Sequence, residues 1–452
     1  MNRKILAVQL AAIFLAAAIV VADDIALTVY NSDLGVVRET RTLEFLRGDG
    51  TIAFTDVPAS IDATSVVFEM AGKAGKVEIL EQNFAYDLVS PEKIYQKYID
   101  QAVDIITEKG ELFSGVLISF RGDQLVIRQA DGTIRLIARN WVRDVTMPDL
   151  PEGLITRPTL FWLYRSDFSG RADAVVGYQT AGIEWHAEYV GVLTADESQM
   201  DLNGWVSIDN RSGKTYKNAT LKVVAGDIHR ARQREVRMYE GADEYVMAAK
   251  AASFEEKAFF EYHLYTLPRR ATIADNEIKQ VTMFDPATAR VAKELRYLAN
   301  PGQEEVNVLI KMKNDAESGL GMPLPAGRVR IFKADTDGSL ILLGEDAIEH
   351  TARNEELKLQ IGQAFDVVGE TTDISRRRIS DKVSETDFRI EVRNQKKEPV
   401  TVMVEKFFGG FWEITSSSTD YVKKSAQKVE WKLDIAPEGK AVIDATVRET
   451  YR

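Results

Sequence analysis

The chain has 452 residues, with 57 basic against 69 acidic side chains, a formal net charge of −12 and no cysteine. That balance argues against nucleic acid and against a purely electrostatic hold on anionic lipid. The missing thiols exclude disulfides, thiolate metal sites and lipid attachment through cysteine. With 45% hydrophobic and 28% charged residues, the composition is that of a folded protein of roughly two to four domains, stabilised by buried apolar surface.

Residues 1–22 read as an export leader: Arg3 and Lys4 form a positive head, an apolar run fills 10–21, and Val20 and Ala22 stand at −3 and −1 of a cleavage point. The same run retained as an anchor is the alternative, although a full span takes about 20 apolar residues. The expected location is therefore the periplasm or cell envelope, with cleavage after Ala22 and no stable membrane span afterwards.

From residue 25 to 80 the chain alternates apolar and polar residues, as half-buried antiparallel strands do. The segment 90–106 changes texture. Ile94, Tyr95, Tyr98 and Ile99 fall at helical spacing, Ser90 is placed to cap, and Pro91 suits the first helical position. Short strands follow at Leu112–Ser119, Gln124–Gln129, Ile134–Ala138 and Trp141–Val145, joined by tight turns, which suggests a small SH3- or Sm-like barrel. Residues 229–258 break the β pattern with charges, alanines and two methionines, and read as a short helical or mobile insertion, with an adaptable contact surface as the functional alternative. In 428–435, Val429, Trp431, Leu433 and Ile435 alternate with Lys428, Glu430, Lys432 and Asp434, one of several such runs that make the C-terminal third a β-sandwich. The expected fold is mainly β: antiparallel β-sandwich domains with an inserted small SH3/Sm-like barrel. The expected divisions are a β-domain at 23–90, helix plus barrel at 91–150, a β-domain at 151–300 and a sandwich at 301–452.

Several blocks carry a family pattern: YNSDLGVVRETRTLEF at 30–45, DVPASIDATSV at 56–66, YQTAGIEWHAEYVGVL at 178–193, LNGWVSIDNRSGKTYKNATLKVVAGDI at 202–228 and VRNQKKEPVTVMVEKFFGGFWEI at 392–414. Together they resemble bacterial proteins that carry domain of unknown function 4139, distant relatives of the mucoidy-inhibitor-A-like proteins. The resemblance implies exported β-domains, and it brings no activity and no catalytic residues with it.

The strongest chemical constellation is GIEWHAEY at 182–189. On a strand, Trp185, Ala187 and Tyr189 face one way, while Glu184, His186 and Glu188 face the other at steps of about 7 Å. A histidine between two carboxylates suits Zn²⁺ or a tuned general base, and equally the alternating charge of a solvated strand. Other motifs fall short. SGKT at 212–215 has Ile208 where a phosphate loop needs glycine, so it reads as a turn. Asp335-Thr-Asp337-Gly338 has Lys333 at the first calcium-ligand position and reads as a hairpin turn, with an irregular calcium site near Glu345 and Asp346 as the alternative. No GxSxG or HExxH occurs, and His229, His263 and His350 are scattered. The reading is a non-enzymatic envelope module that binds protein or glycan and needs no cofactor. The alternative is an envelope hydrolase, glycan-active if the fold brings two carboxylates together.

Overall fold

The computed structural model describes residues 24–72, 75–86, 90–148, 155–226, 255–259 and 262–450. The expected leader at 1–22 lies outside the described residues, and so does the expected insertion at 229–258 apart from the strand Glu255–Phe259.

The fold is mainly β, and its elements follow from alternation in the sequence. The hairpin of Asp24–Tyr30 and Gly35–Phe45 is extended on both sides. Asp24–Tyr30 pairs in parallel with Tyr216–Ala225 (Leu27 beside Leu221), and Gly35–Phe45 pairs antiparallel with Gly170–Thr180. A three-stranded sheet, Gly48–Thr55, Thr159–Ser166 and Val77–Ala85, packs its aromatic side chains toward this one. Phe54 and Phe68 flank Trp162 with ring centroids 5.0 and 5.3 Å away. Residues 23–90 and 155–361 thereby contribute to one continuous apolar core.

A long sheet begins with the hairpin Ile183–Leu193 and Gln199–Asn210, adds Gly327–Ala334 in parallel and Leu340–Ile348 at the edge, and continues through Ala287–Leu298 and Glu305–Lys313 into the C-terminal strands. There a second core gathers Tyr297, Phe388, Val404, Trp431 and Ile443. Trp431, Leu433, Val429 and Ile435 all point inward, as the alternation at 428–435 requires. The strand Glu356–Ser380 runs for 25 residues, and its distal part pairs with Val383–Asn394 across two register shifts.

The third core belongs to residues 91–148. Here the expected helix is shorter than its spacing suggests. Ser90 Oγ accepts from Lys93 N and Pro91 opens the helix, but it ends at Lys97. Asp100 adopts φ 68°, a left-handed turn that a helix cannot continue through. Ala102–Thr107 is a strand whose Val103, Ile105 and Thr107 point into the core, so the apolar residues beyond Ile99 serve period two. The five strands stand in the order Val142–Thr146, Ala102–Thr107, Leu112–Arg121, Gln124–Arg128, Ile134–Ala138. Among the described residues no pairing joins the first and last of these, so the small SH3/Sm-like unit is a five-stranded antiparallel sheet without barrel closure, backed by one helix.

Candidate functional site

Strand Ile183–Leu193 sets Trp185, Ala187 and Tyr189 into the core, where Trp185 Nε1 donates to Val224 O at 2.9 Å and Tyr189 OH to Pro325 O at 2.8 Å. On the other face Glu184 and His186 are exposed while Glu188 is buried. The parallel neighbour Gly327–Ala334 explains why: it places Arg328 beside Glu188 and Arg330 two residues on. Arg328 donates to Glu188 Oε1 at 2.9 Å, Arg330 to Oε2 at 2.8 Å, and His186 Nε2 lies 3.3 Å from Oε1. Burial pushes the Glu188 carboxyl up, but the bonds from His186 and Arg328 and the charge of Arg330 pull it down to about 2. The structure thus joins His186 to Glu188 and leaves Glu184 at the far end of the row, opposite Asp209. Both Glu188 oxygens are given to cations, which makes an ion-pair knot of what the sequence offered as a ligand set. Among the described residues no group of three or more His, Asp or Glu side chains is placed to hold a metal ion.

A second charged cluster escaped the sequence reading. Gly213, at φ 83°, turns the SGKT segment so that Lys214 enters the core. Its Nζ donates to Glu39 Oε1 and Oε2 at 3.1 and 3.0 Å and to Tyr178 OH at 3.2 Å, and Tyr178 OH donates to Glu39 Oε1 at 3.0 Å. Arg41 donates to the same Glu39 oxygen at 2.9 Å and lies 3.8 Å above the Phe54 ring. Burial pushes the Glu39 carboxyl up, yet Lys214 and Arg41 hold it below its ordinary value. One carboxylate faces two cations there, and arginine keeps its proton, so the burial cost falls on Lys214, whose pKa is lowered. The signal was in the alternation of GVVRETRTLEF: Val37, Glu39, Arg41, Leu43 and Phe45 share one face, and two of them are charged. Each side chain in this cluster is bonded to another inside a packed core, although the buried Arg41 Nε has no hydrogen-bond partner.

The fold also opposes two carboxylates, Glu405 and Glu430, on neighbouring strands. Both are held by cations along the sheet face: Arg296 and Lys428 bind Glu405, and Lys424 binds Glu430 at 3.0 Å. The Asp335–Gly338 segment is a hairpin turn, with Asp335 N donating to Ser339 O at 2.8 Å, and Glu345 is bonded by Arg330 at 2.8 Å. His350 Nδ1 accepts from Ala326 N, two residues before Arg328, while His229 lies outside the described residues. A shallow cleft of about 380 Å³ is lined by Thr415, Ser416, Ser417, Thr419, Asp420 and Tyr421, a hydroxyl-rich wall beside one aromatic ring.

The small sheet at 91–148 offers a different surface. Leu112 is exposed, as are Ile134 at 47%, Leu136 at 64% and Trp141 at 66%. In register, Leu136 neighbours Val126, and Ile134 neighbours Arg128, which neighbours Val116, so apolar side chains gather at the outer face of the edge strand. The sequence named these strands but not this surface, because IRLIA is apolar on both of its faces.

A family model described as a domain of unknown function (DUF4139) matches residues 174–451. That span takes in the Glu188 knot, the whole of the long sheet and part of the sheet built on Asp24–Tyr30, and it leaves out the small sheet at 91–148. No curated protein matches the chain.

Proposed function

We propose, on the premise that the chain belongs to the family of the domain of unknown function DUF4139, that it is an exported cell-envelope protein that binds protein or glycan and catalyses no reaction. The leader pattern at 1–22 supports the envelope as its place of work. The observation that carries the binding role is the set of exposed apolar side chains on the small sheet, Leu112, Ile134, Leu136 and Trp141, which a fold normally covers. The ion pairs at Glu188, Glu39 and Glu405 favour binding over hydrolysis, since a carboxylate clamped by two cations is a poor general acid. For a glycan, the hydroxyl-lined cleft at 414–421 supplies hydrogen-bonding groups and Tyr421 a stacking face.

The test is cross-linking in intact host envelopes with the wild type and with a Leu112→Ser, Ile134→Ser, Trp141→Ser variant. A stoichiometric partner that disappears with the variant, whose melting and circular dichroism stay unchanged, is the expected result. Glycan turnover by the purified protein, abolished by Glu405→Gln, would overturn it in favour of the hydrolase.

A further inference from the structure

We infer that the edge strand Ile134–Ala138 receives an extended polypeptide segment as a sixth strand, and that this segment alternates apolar with acidic side chains. The inference rests on the binding role proposed above and names the partner chemistry.

The edge is built to accept a strand. Gln129 N donates to Thr133 O at 2.9 Å and Arg139 N to Asp123 O at 2.7 Å, both in the register that pairs Leu125 with Ile137 and Ile127 with Arg135. Hydrogen-bonded pairs recur every second residue in an antiparallel ladder. Residues 133, 135, 137 and 139 therefore bond inward, and the N–H and C=O groups of Ile134, Leu136 and Ala138 point to the open side. Among the described residues this strand pairs only with Gln124–Arg128.

Several other edges are protected, while Gly48–Thr55, Glu277–Thr282 and Tyr421–Lys423 are free of register shifts like this one. Register shifts interrupt Ile61–Met70, Val77–Ala85, Leu340–Ile348, Phe411–Ser417 and the opposite edge of the same small sheet, Val142–Thr146. Bulges of this kind twist an edge away from further pairing. Ile134–Ala138 has none and presents exposed Ile134 and Leu136 instead.

The two faces of the edge define the guest. Ile134 and Leu136 form the outer row and call for apolar side chains opposite. On the other face Arg135 donates to Gln129 Oε1 and lies over the Phe113 ring at 4.3 Å, while Arg139, four residues on, is paired with Glu92 at 3.2 Å. The Arg135 guanidinium, with no carboxylate of its own among these contacts, calls for one. A second copy pairing about Leu136 would instead set its own Arg135 diagonally beside this one on the same face, a like-charge arrangement.

The probe is the peptide acetyl-Ser-Val-Glu-Val-Glu-Val-Ser-amide, with a lysine-for-glutamate counterpart, added to the full-length protein and read by residue-resolved hydrogen exchange. Saturating glutamate peptide should slow exchange at the Ile134, Leu136 and Ala138 amides by about tenfold or more, as new ladder bonds do, and the lysine peptide should not. Arg135→Glu should invert that preference. Leu136→Pro removes one outward donor and leaves the inner ladder intact, so it should abolish protection while Ile127 and Ile105 stay protected. Protection at these amides without peptide that rises with protein concentration would overturn the inference in favour of a second copy. If neither peptide protects the edge while the envelope partner still depends on Leu112 and Trp141, strand addition fails and the binding role stands. If the partner ignores those residues too, both fail.

Discussion

The knots at Glu39 and Glu188 are made of the same parts, one carboxylate and two cations, but they differ in how their cations meet water. Lys214 and Arg41 are both buried, whereas Arg328 is half exposed and Arg330, at 15% exposure, keeps Glu345 as a second carboxylate partner. A cation that stays solvated gives up little to bind a carboxylate and gains little by it. A cation taken fully into the core loses its hydration and depends on its partner for compensation. Similar geometry therefore locks the first site into the core and leaves the second a stiffened surface.

The comparison breaks most sharply if one partner is removed. Glu39→Gln leaves Lys214 and Arg41 buried without a counter-charge, and should cost about 3–5 kcal/mol in urea unfolding. Glu188→Gln should cost about 1 kcal/mol, because Arg328 can return to water and Arg330 keeps its bond to Glu345. Equal costs would mean that burial does not separate the two sites.

Acid sharpens the contrast next. The Glu188 carboxyl is held at about 2, below its ordinary value of 4.5. Its stabilisation is complete above that ordinary value and is lost as pH falls toward 2. The stability gap between wild type and Glu188→Gln should accordingly close over that window. Glu39 is lowered as well, so its contribution also fades in acid as pH falls through its folded pKa. Lys214 has the same sign at the other end: its pKa is lowered in the fold, so stability should rise with pH as the unfolded lysine approaches its ordinary range. Urea midpoints taken across pH read all three.

The smallest effect is expected at a fully exposed pair. Arg389 binds Asp444 through two bonds, at 2.7 and 3.1 Å, between neighbouring strands. Replacing both with Thr should leave the urea midpoint nearly unchanged, and salt at about 1 M should erase whatever difference exists. The Glu39 cluster should be indifferent to the same salt.

How much of this was readable in the chain depended on range. Alternation placed Trp185, Ala187, Tyr189 and the 428–435 row correctly, because period two is a local property of neighbouring residues. The helix at 91–97 was found and overextended, since Ile105 and Ile106 fit either period until a partner strand chooses one. Neither knot was legible. Glu39 and Lys214 are 175 positions apart, and Glu188 meets Arg328 across 140, so only the folded register brings them together. The open edge at Ile134–Ala138 was hidden for a related reason: a sequence marks a strand, but whether that strand has one neighbour or two is decided by topology.

The placement of Asp24–Tyr30 between Gly35–Phe45 and Tyr216–Ala225 has a consequence in time. Half of that strand's ladder has no partner until residue 216 has been made. At about 5–20 residues per second, the wait is on the order of 10–40 s. Through that interval Leu27 and Val29, both destined for full burial, belong to an unfinished sheet. The nascent chain must be kept apart from its neighbours by something other than its own fold, and a chain cut short before Tyr216 should aggregate where the full-length chain does not.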